Sequence, residues 1–307
     1  MSSTDSIHGA LSALDDAPVW LNTEPLTAEG LRGRVVLVDI WTYSCVNWLR
    51  TLPYVRAWAG RYRDRGLVVV GVHCPEFGFE HDLDNVRHAV RELGVDYPVV
   101  IDNDFAIWRS LANRYWPALY LVDPDGRIRF HHFGEGKYEE SERAIQQLLG
   151  IDEETVRVEA GGLFEAADWD TLRTGETYVG HDQGVGRVAS PAALTLNHWA
   201  LAGDWAVEDE SALLGAAGGS ITFRFQARDL NLVLAPPATA APIRFTVRLD
   251  GQPPGDDHGI DVDDSGEGTL DEPRMYQLVR QASGAAERSF EITFTEAGVR
   301  AYVFTFG

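Results

Sequence analysis

The feature that most constrains this chain is a change of periodicity near residue 152. Before it, short apolar runs alternate with stretches of helical spacing; after it, helical spacing nearly vanishes. Val35 to Trp41 (VVLVDIW) reads as a buried strand, and a helix follows from about Cys45 to Arg65, where Leu49, Leu52, Val55 and Trp58 recur at steps of three. Gly66 closes that helix, and Leu67 to Val72 is the next strand. Leu83 to Leu93 is helical, Tyr97 to Ile101 is apolar, and a short helix lies within Phe105 to Tyr115. Ala118 to Asp123 then leads through the turn Pro124-Asp125-Gly126 into Arg127 to Phe133, and a last helix from Glu139 to Leu149 ends at Gly150. Strands separated by helices pair in parallel, and the closing hairpin adds an antiparallel edge. Beyond residue 152 the runs Ser220 to Gln226, Asp229 to Leu234, Ile243 to Asp250, Met275 to Arg280, Ser289 to Thr295 and Arg300 to Phe306 are separated by Gly, Pro and Asp clusters. That even spacing predicts a β-sandwich or jelly roll.

The expected organisation is therefore an N-terminal segment over 1–17, an α/β domain over 18–152 and an all-β domain over 153–307. A hydrophobic fraction of 45% is ample for two cores. The 47 Asp and Glu outnumber the 26 Lys and Arg, for a net charge of −21, a field that repels phosphate backbones and anionic lipid. No nucleic-acid partner and no membrane role are expected. Residues 1–20 show no basic n-region and no apolar core of signal-peptide length, and no apolar run reaches membrane-spanning length. A cytoplasmic location is the expectation, and there cysteines are reduced.

The chain holds two cysteines, Cys45 and Cys74, which excludes a disulfide scaffold and a multi-thiolate zinc site. Cys45 follows an apolar strand and starts a helix, where unpaired backbone N–H groups and the positive helix end favour a thiolate. Position alone leaves two readings: a nucleophile, or a small buried apolar residue. His73, His81 and His88 match no common metal spacing, so no metal and no cofactor are expected. Of the aromatics near Cys45, Trp41, Tyr43 and Trp108 read as core, whereas Trp48 and Trp116 flank the expected site together with Asn47.

The strand-turn-helix WTYSCVNW, the Trp116-Pro117 pair before ALYLVD and the hairpin turn PDG resemble the thioredoxin-like fold of the TlpA, redoxin and DipZ group, over about residues 18 to 150. The resemblance implies a cis Pro117 facing the reactive cysteine. Disulfide-shuttling members carry CxxC at this turn; here it reads Cys45-Val46-Asn47-Trp48, which denies a mixed disulfide its usual internal release. Thr42 completes a TxxC similar to the peroxiredoxin motif, implying a hydroxyl that orients the thiolate and a peroxide. GVHCPEFGFE (71–80) is similar to a glutathione peroxidase region whose Gln matches Glu76, implying a carboxylate that handles a proton. The fold also makes the strands 35–41 and 67–72 neighbours, so Cys74 is a candidate resolving thiol, with a merely buried Cys74 as the alternative.

GETYVGHDQG, LNHWALAGDWAVED and the closing EAGVRAYVFTFG resemble the β-sandwich appended to DipZ-type domains, similar in fold to carbohydrate-binding modules. Trp199 and Trp205 there are sugar-stacking candidates or core, and Asp261, Asp263 and Asp264 form an incomplete calcium-loop pattern better read as an acidic turn. The leading expectation is a thiol-dependent oxidoreductase in which Cys45 attacks a peroxide or a disulfide, with Cys74 or an external low-molecular-weight thiol completing the cycle. Two alternatives stand. One is a non-catalytic thioredoxin-fold protein whose sandwich contacts a protein or glycan; the other, weaker one is metal delivery through Cys45, Cys74 and His73.

Overall fold

The computed structural model describes residues 11–181, 183–238 and 241–307. Contacts divide the chain into two compact units, Met1–Glu165 and Ala166–Gly307.

The first unit is a mixed six-stranded sheet. Its strands are β1 (Trp20–Leu21), β2 (Val35–Trp41), β3 (Leu67–His73), β4 (Val99–Ile101), β5 (Ala118–Val122) and β6 (Ile128–Phe133), in the order β1-β4-β3-β2-β5-β6. The helices are α1 (Val46–Tyr62), α2 (Leu83–Glu92), α3 (Ala106–Ser110) and α4 (Tyr138–Leu149). β2 runs parallel to β3, and β3 to β4, while β5 and β6 are antiparallel, as strands joined by helices and a closing hairpin require. The boundaries follow local chemistry. Gly66 at φ 104 stops the helical turn after α1, the Asp82 carboxylate accepts the Asp84 N–H at 2.8 Å to start α2, and Gly150 at φ 69 ends α4.

Strand alternation sorts the two faces. Val36, Val38 and Ile40 of β2, with Val70 and Val72 of β3 and Cys74 just beyond it, join one apolar cluster that also holds Leu11, Leu14 and Ile107. Asp39 and Trp41 point to the other face, where they meet Trp48 of α1. The expected separate segment over 1–17 lies partly outside the described residues; its described part, through Leu11 and Leu14, belongs to the first core.

The boundary near 152 is corrected to Glu165. Glu153 accepts from Arg61 and Arg65 at 3.1 and 3.2 Å, and the Val156 N–H donates to both oxygens of Glu142 at 3.0 and 2.9 Å. These ties bind residues 153–156 to α1 and α4. Glu142 also accepts Trp58 Nε1 at 3.1 Å and the Tyr62 hydroxyl at 2.5 Å, so a buried carboxylate on α4 is satisfied from α1 and the following segment.

The second unit is two antiparallel sheets over one aromatic core. One sheet orders 274–280, 229–235, 300–306, 212–214 and 205–207; the other orders 267–270, 243–249, 287–294, 220–226 and 199–202. Phe223, Phe225, Phe245, Phe290, Phe294 and Phe304 fill the space between them. The strands at 199–202, 205–207, 212–214 and 267–270 escaped the sequence reading, being three or four residues long. Trp199 is core and donates Nε1 to Val185 O, and Trp205 donates to Ala202 O and packs edge-on against Phe294. Asp263 closes its turn by accepting from Ser265 and Glu267 N–H groups, and Asp261 binds Arg274 and the Gln277 N–H. Among the described residues no helix is long and apolar enough to cross a membrane.

Replacing Glu142 by Ala leaves the Trp58, Tyr62 and Val156 donors without their acceptor. The expected loss is about 3 kcal/mol, read as a lower urea midpoint for the first unit at unchanged slope. A loss below about 0.5 kcal/mol, the range of ordinary surface changes, would contradict the role given to Glu142.

Candidate active site

The end of β2 delivers the chain into the turn Thr42-Tyr43-Ser44, and Cys45 caps α1 with extended backbone (φ −78, ψ 113). Its N–H reaches Thr42 O at 3.4 Å, and its carbonyl accepts the Leu49 N–H at 3.0 Å. The side chain thus stands at the start of a 17-residue helix with no acidic residue in the first turn, where unpaired N–H groups and the helix dipole favour a negative sulfur. Cys45 is 9% exposed, enough to leave an edge of the residue at the surface.

Pro117 follows a cis Trp116-Pro117 bond, as the family resemblance implied. Its neighbour Ala118 pairs with Ile40, and its carbonyl accepts the Gly134 N–H at 2.8 Å. Arg50, in the second turn of α1, forms a buried ion pair with Glu135 at 2.8 Å, so the loop that holds Pro117 is itself fixed to the Cys45 helix. Burial pushes the Glu135 carboxyl up, and Arg50 works against that push.

Trp48 is corrected from site wall to core. It is wholly buried, stacked on Trp41 at 4.2 Å, and its Nε1 donates to Asp39 Oδ2 at 3.1 Å. Asn47 is half-buried and uses its carbonyl to accept the Thr51 hydroxyl at 2.9 Å. Trp116 is half-buried, packs on Trp108 at 4.3 Å and donates Nε1 to the Cys74 carbonyl at 3.0 Å.

Cys45 and Cys74 are both thiols, not a disulfide. Cys74 is fully buried in the apolar cluster on the sheet face opposite Asp39, and its Sγ lies 3.4 Å from Asp102 Oδ2. Burial, with the Asp102 charge, pushes this thiol well above the ordinary range. Asp102 is meanwhile held by the Ile107 and Trp108 N–H groups at 3.0 and 2.8 Å.

Glu76 is half-buried, and its backbone N–H donates to Glu80 Oε2 at 2.6 Å. The carboxylate of Glu80, four residues on, reaches the Cys45 turn. Fully buried, it accepts the Ser44 hydroxyl on Oε1 at 2.6 Å and the Phe77 N–H on Oε2 at 3.0 Å. The buried Thr42 hydroxyl approaches the same carboxylate without completing a hydrogen bond. Burial raises the Glu80 pKa, and the donors around it pull the other way.

Asp39 also went unread in the sequence. Burial pushes its pKa up to about 7 against hydrogen bonds from Trp48 and Tyr97, the latter at 3.1 Å. His73 is fully buried, between Trp41 and Tyr43, and burial pulls its pKa down to about 3. Among the described residues no three His, Cys, Asp or Glu side chains cluster to hold a metal ion. Asp39 had one signal, a lone acid inside the apolar run VVLVDIW, and Glu80 closes the aromatic stretch FGFE.

Asp39 makes stability depend on pH. With a pKa of about 7 folded against an ordinary 3.8, the folded chain holds the extra proton between those values. The stabilisation from this group is complete below that window and is lost as pH rises through it. Asp39→Asn, which cannot ionise, is expected to gain stability relative to wild type between pH 4.5 and pH 8, measured by denaturant unfolding. A wild-type-minus-variant difference equal at both pH values would refute the assignment.

Residues 174–307 match the family model described as "Thioredoxin like C-terminal domain". Over 251 residues the chain is 36% identical to "Protein DipZ" of Mycobacterium bovis, an alignment covering 76% of this chain and 35% of that protein. The chain thus spans about a third of the length of the DipZ relatives it matches. It is 30% identical over 135 residues to "Thiol-disulfide oxidoreductase YkuV" of Bacillus subtilis, covering 44% of this chain and 90% of the relative. A solved structure titled "Solution Structure of a Thioredoxin-like Protein in the Oxidized Form" matches at 29% identity and TM-score 0.40, covering 44% of this chain and 90% of that one. With a cysteine capping the helix after β2, a cis proline entering β5 and a relative matched across nine-tenths of its length, the chain belongs, through its first unit, to the thioredoxin-like thiol-disulfide oxidoreductase family.

Proposed function

We propose that this protein is a one-cysteine thiol-disulfide exchange protein, in which Cys45 forms a mixed disulfide with its substrate and an external thiol releases it. The observation that carries this reading is the fate of position 48. An indole fills it, stacked on Trp41 and bonded to Asp39, and the other thiol of the chain is on the far sheet face beside Asp102.

The chemistry balances without a further oxidant. The Cys45 thiolate attacks one sulfur of a substrate disulfide, forming a Cys45–substrate S–S bond and expelling the other half as a thiolate. A low-molecular-weight thiol, deprotonated, then attacks that bond, returns the Cys45 thiolate and leaves with the captured half as a new disulfide. Net, one half of the substrate disulfide is released as a thiolate and the external thiol takes its place in the disulfide, so one sulfur is reduced and one external thiol oxidised. The helix start stabilises Cys45 as attacking and as leaving sulfur. A disulfide substrate is favoured over a peroxide because the Thr42 hydroxyl, the group expected to orient peroxide, is buried beside Glu80. We assign the protein to a compartment that keeps thiols reduced, since the cycle consumes an external thiol.

Glutathione disulfide tests this directly. At pH 7.5, intact-mass spectrometry is expected to find one glutathione on Cys45, removed again by reduced glutathione, and none on Cys74 until the chain is denatured. Cys45→Ser should abolish adduct and turnover of a mixed-disulfide substrate, whereas Cys74→Ser should keep turnover within about twofold of wild type. An unreactive Cys45 in the folded protein, or turnover surviving in Cys45→Ser, would sink the proposal. A Cys45–Cys74 disulfide formed during turnover would replace it with a two-thiol cycle.

A further inference from the structure

Glu80 ties the Cys45 turn to the loop after β3. Glu80 lies in a short helical turn, Gly78–His81, yet its carboxylate is fully buried. One oxygen accepts the hydroxyl of Ser44, the residue immediately before Cys45, at 2.6 Å; the other accepts the Glu76 and Phe77 N–H groups at 2.6 and 3.0 Å. An oxygen–oxygen distance of 2.6 Å falls in the range of charge-assisted bonds to an ionised carboxylate. A buried charge is costly unless its donors are fixed, so this arrangement immobilises both segments that supply them.

We propose that Glu80 is a positioning residue for Cys45. By holding Ser44 against the loop after β3, it keeps the sulfur at the start of α1, where the backbone N–H groups of the first turn support the thiolate. This rests on the reading of Cys45 as the nucleophile. Glu80 acts in two opposed ways that substitution separates. Its charge disfavours a thiolate nearby, and its tether favours one by keeping the sulfur at the helix end. Glu80→Gln removes the charge but keeps an oxygen and an amide for the same partners, whereas Glu80→Ala removes charge and tether together.

The measurement is the pH dependence of Cys45 alkylation by iodoacetamide, quantified by peptide mass spectrometry so that Cys74 does not contribute. Positioning predicts a midpoint for Glu80→Ala about one pH unit above that of Glu80→Gln, which at neutral pH is about a tenfold slower reaction. Equal midpoints would mean that Glu80 acts by charge alone and would overturn the proposal. If Glu80→Ala does not fold, Ser44→Ala replaces it: the carboxylate stays, the tether is cut, and the midpoint is expected to rise at least about half a unit above wild type. A wild-type midpoint there, even with a lowered melting temperature, would assign Glu80 a structural role only. Failure of the nucleophile reading is distinguishable, because it would leave the wild-type protein itself unalkylated at Cys45.

Discussion

A carboxylate buried without donors costs more than this fold could tolerate, and the first unit is assembled around three of them. Asp39 takes its donors from α1 and from Tyr97, two residues before β4, Glu80 from the Cys45 turn and its own loop, and Glu142 from α1 and the segment at 156. Each therefore ties together elements far apart in sequence. Two of the three lie around Cys45: Asp39 beneath the first turn of α1, and Glu80 beside the residue before the cysteine. The geometry at the sulfur depends on these polar bonds as well as on the apolar packing of the sheet.

Trp48 shows how the same constraint shapes the chemistry. A cysteine there would offer a thiol to a mixed disulfide; the indole instead offers an N–H to Asp39 and a ring face to Trp41. The substitution is thus absorbed by the core and leaves Asp39 with a donor. What the site loses is its internal route of release, so in the proposed cycle turnover passes to a thiol from solution. The protein's overall charge of −21 disfavours any thiolate, which leaves local N–H groups at the start of α1 to support the one at Cys45.

The sequence made the scaffold legible wherever periodicity and chain-ending residues agree. VVLVDIW, LVVVGV and ALYLVD were strands because apolar runs of that length between helices pair in a buried sheet, and Gly66 and Gly150 marked helix ends through the left-handed backbone they adopt. Trp48 was misread although its spacing to Leu52 and Val55 is that of a core stripe; proximity to Cys45 outweighed the pattern. Glu80 went unread for another reason. A resemblance can place a loop, but the burial of Glu80 depends on donors such as Ser44, 36 residues away, that no local pattern displays. Short strands in the second unit were lost because three or four residues cannot show an alternation.

Cys74 illustrates how adjacency of strands differs from adjacency of side chains. β2 and β3 are paired in parallel register, Trp41 beside His73, so the chain positions that follow them are close. Yet successive residues of a strand point to opposite faces, and Cys74 belongs to the face of Val72 and Ile40 rather than to the Asp39 and Trp41 face that α1 packs against. Its thiol is engaged with a carboxylate that also starts α3, so ionising it would set two negative charges against each other in a buried site. For Cys74 to resolve a disulfide on Cys45, the Asp102 contact would have to open and the sulfur leave its apolar cluster. A thiol arriving from solvent faces neither cost, and this asymmetry makes the external route the one the fold favours.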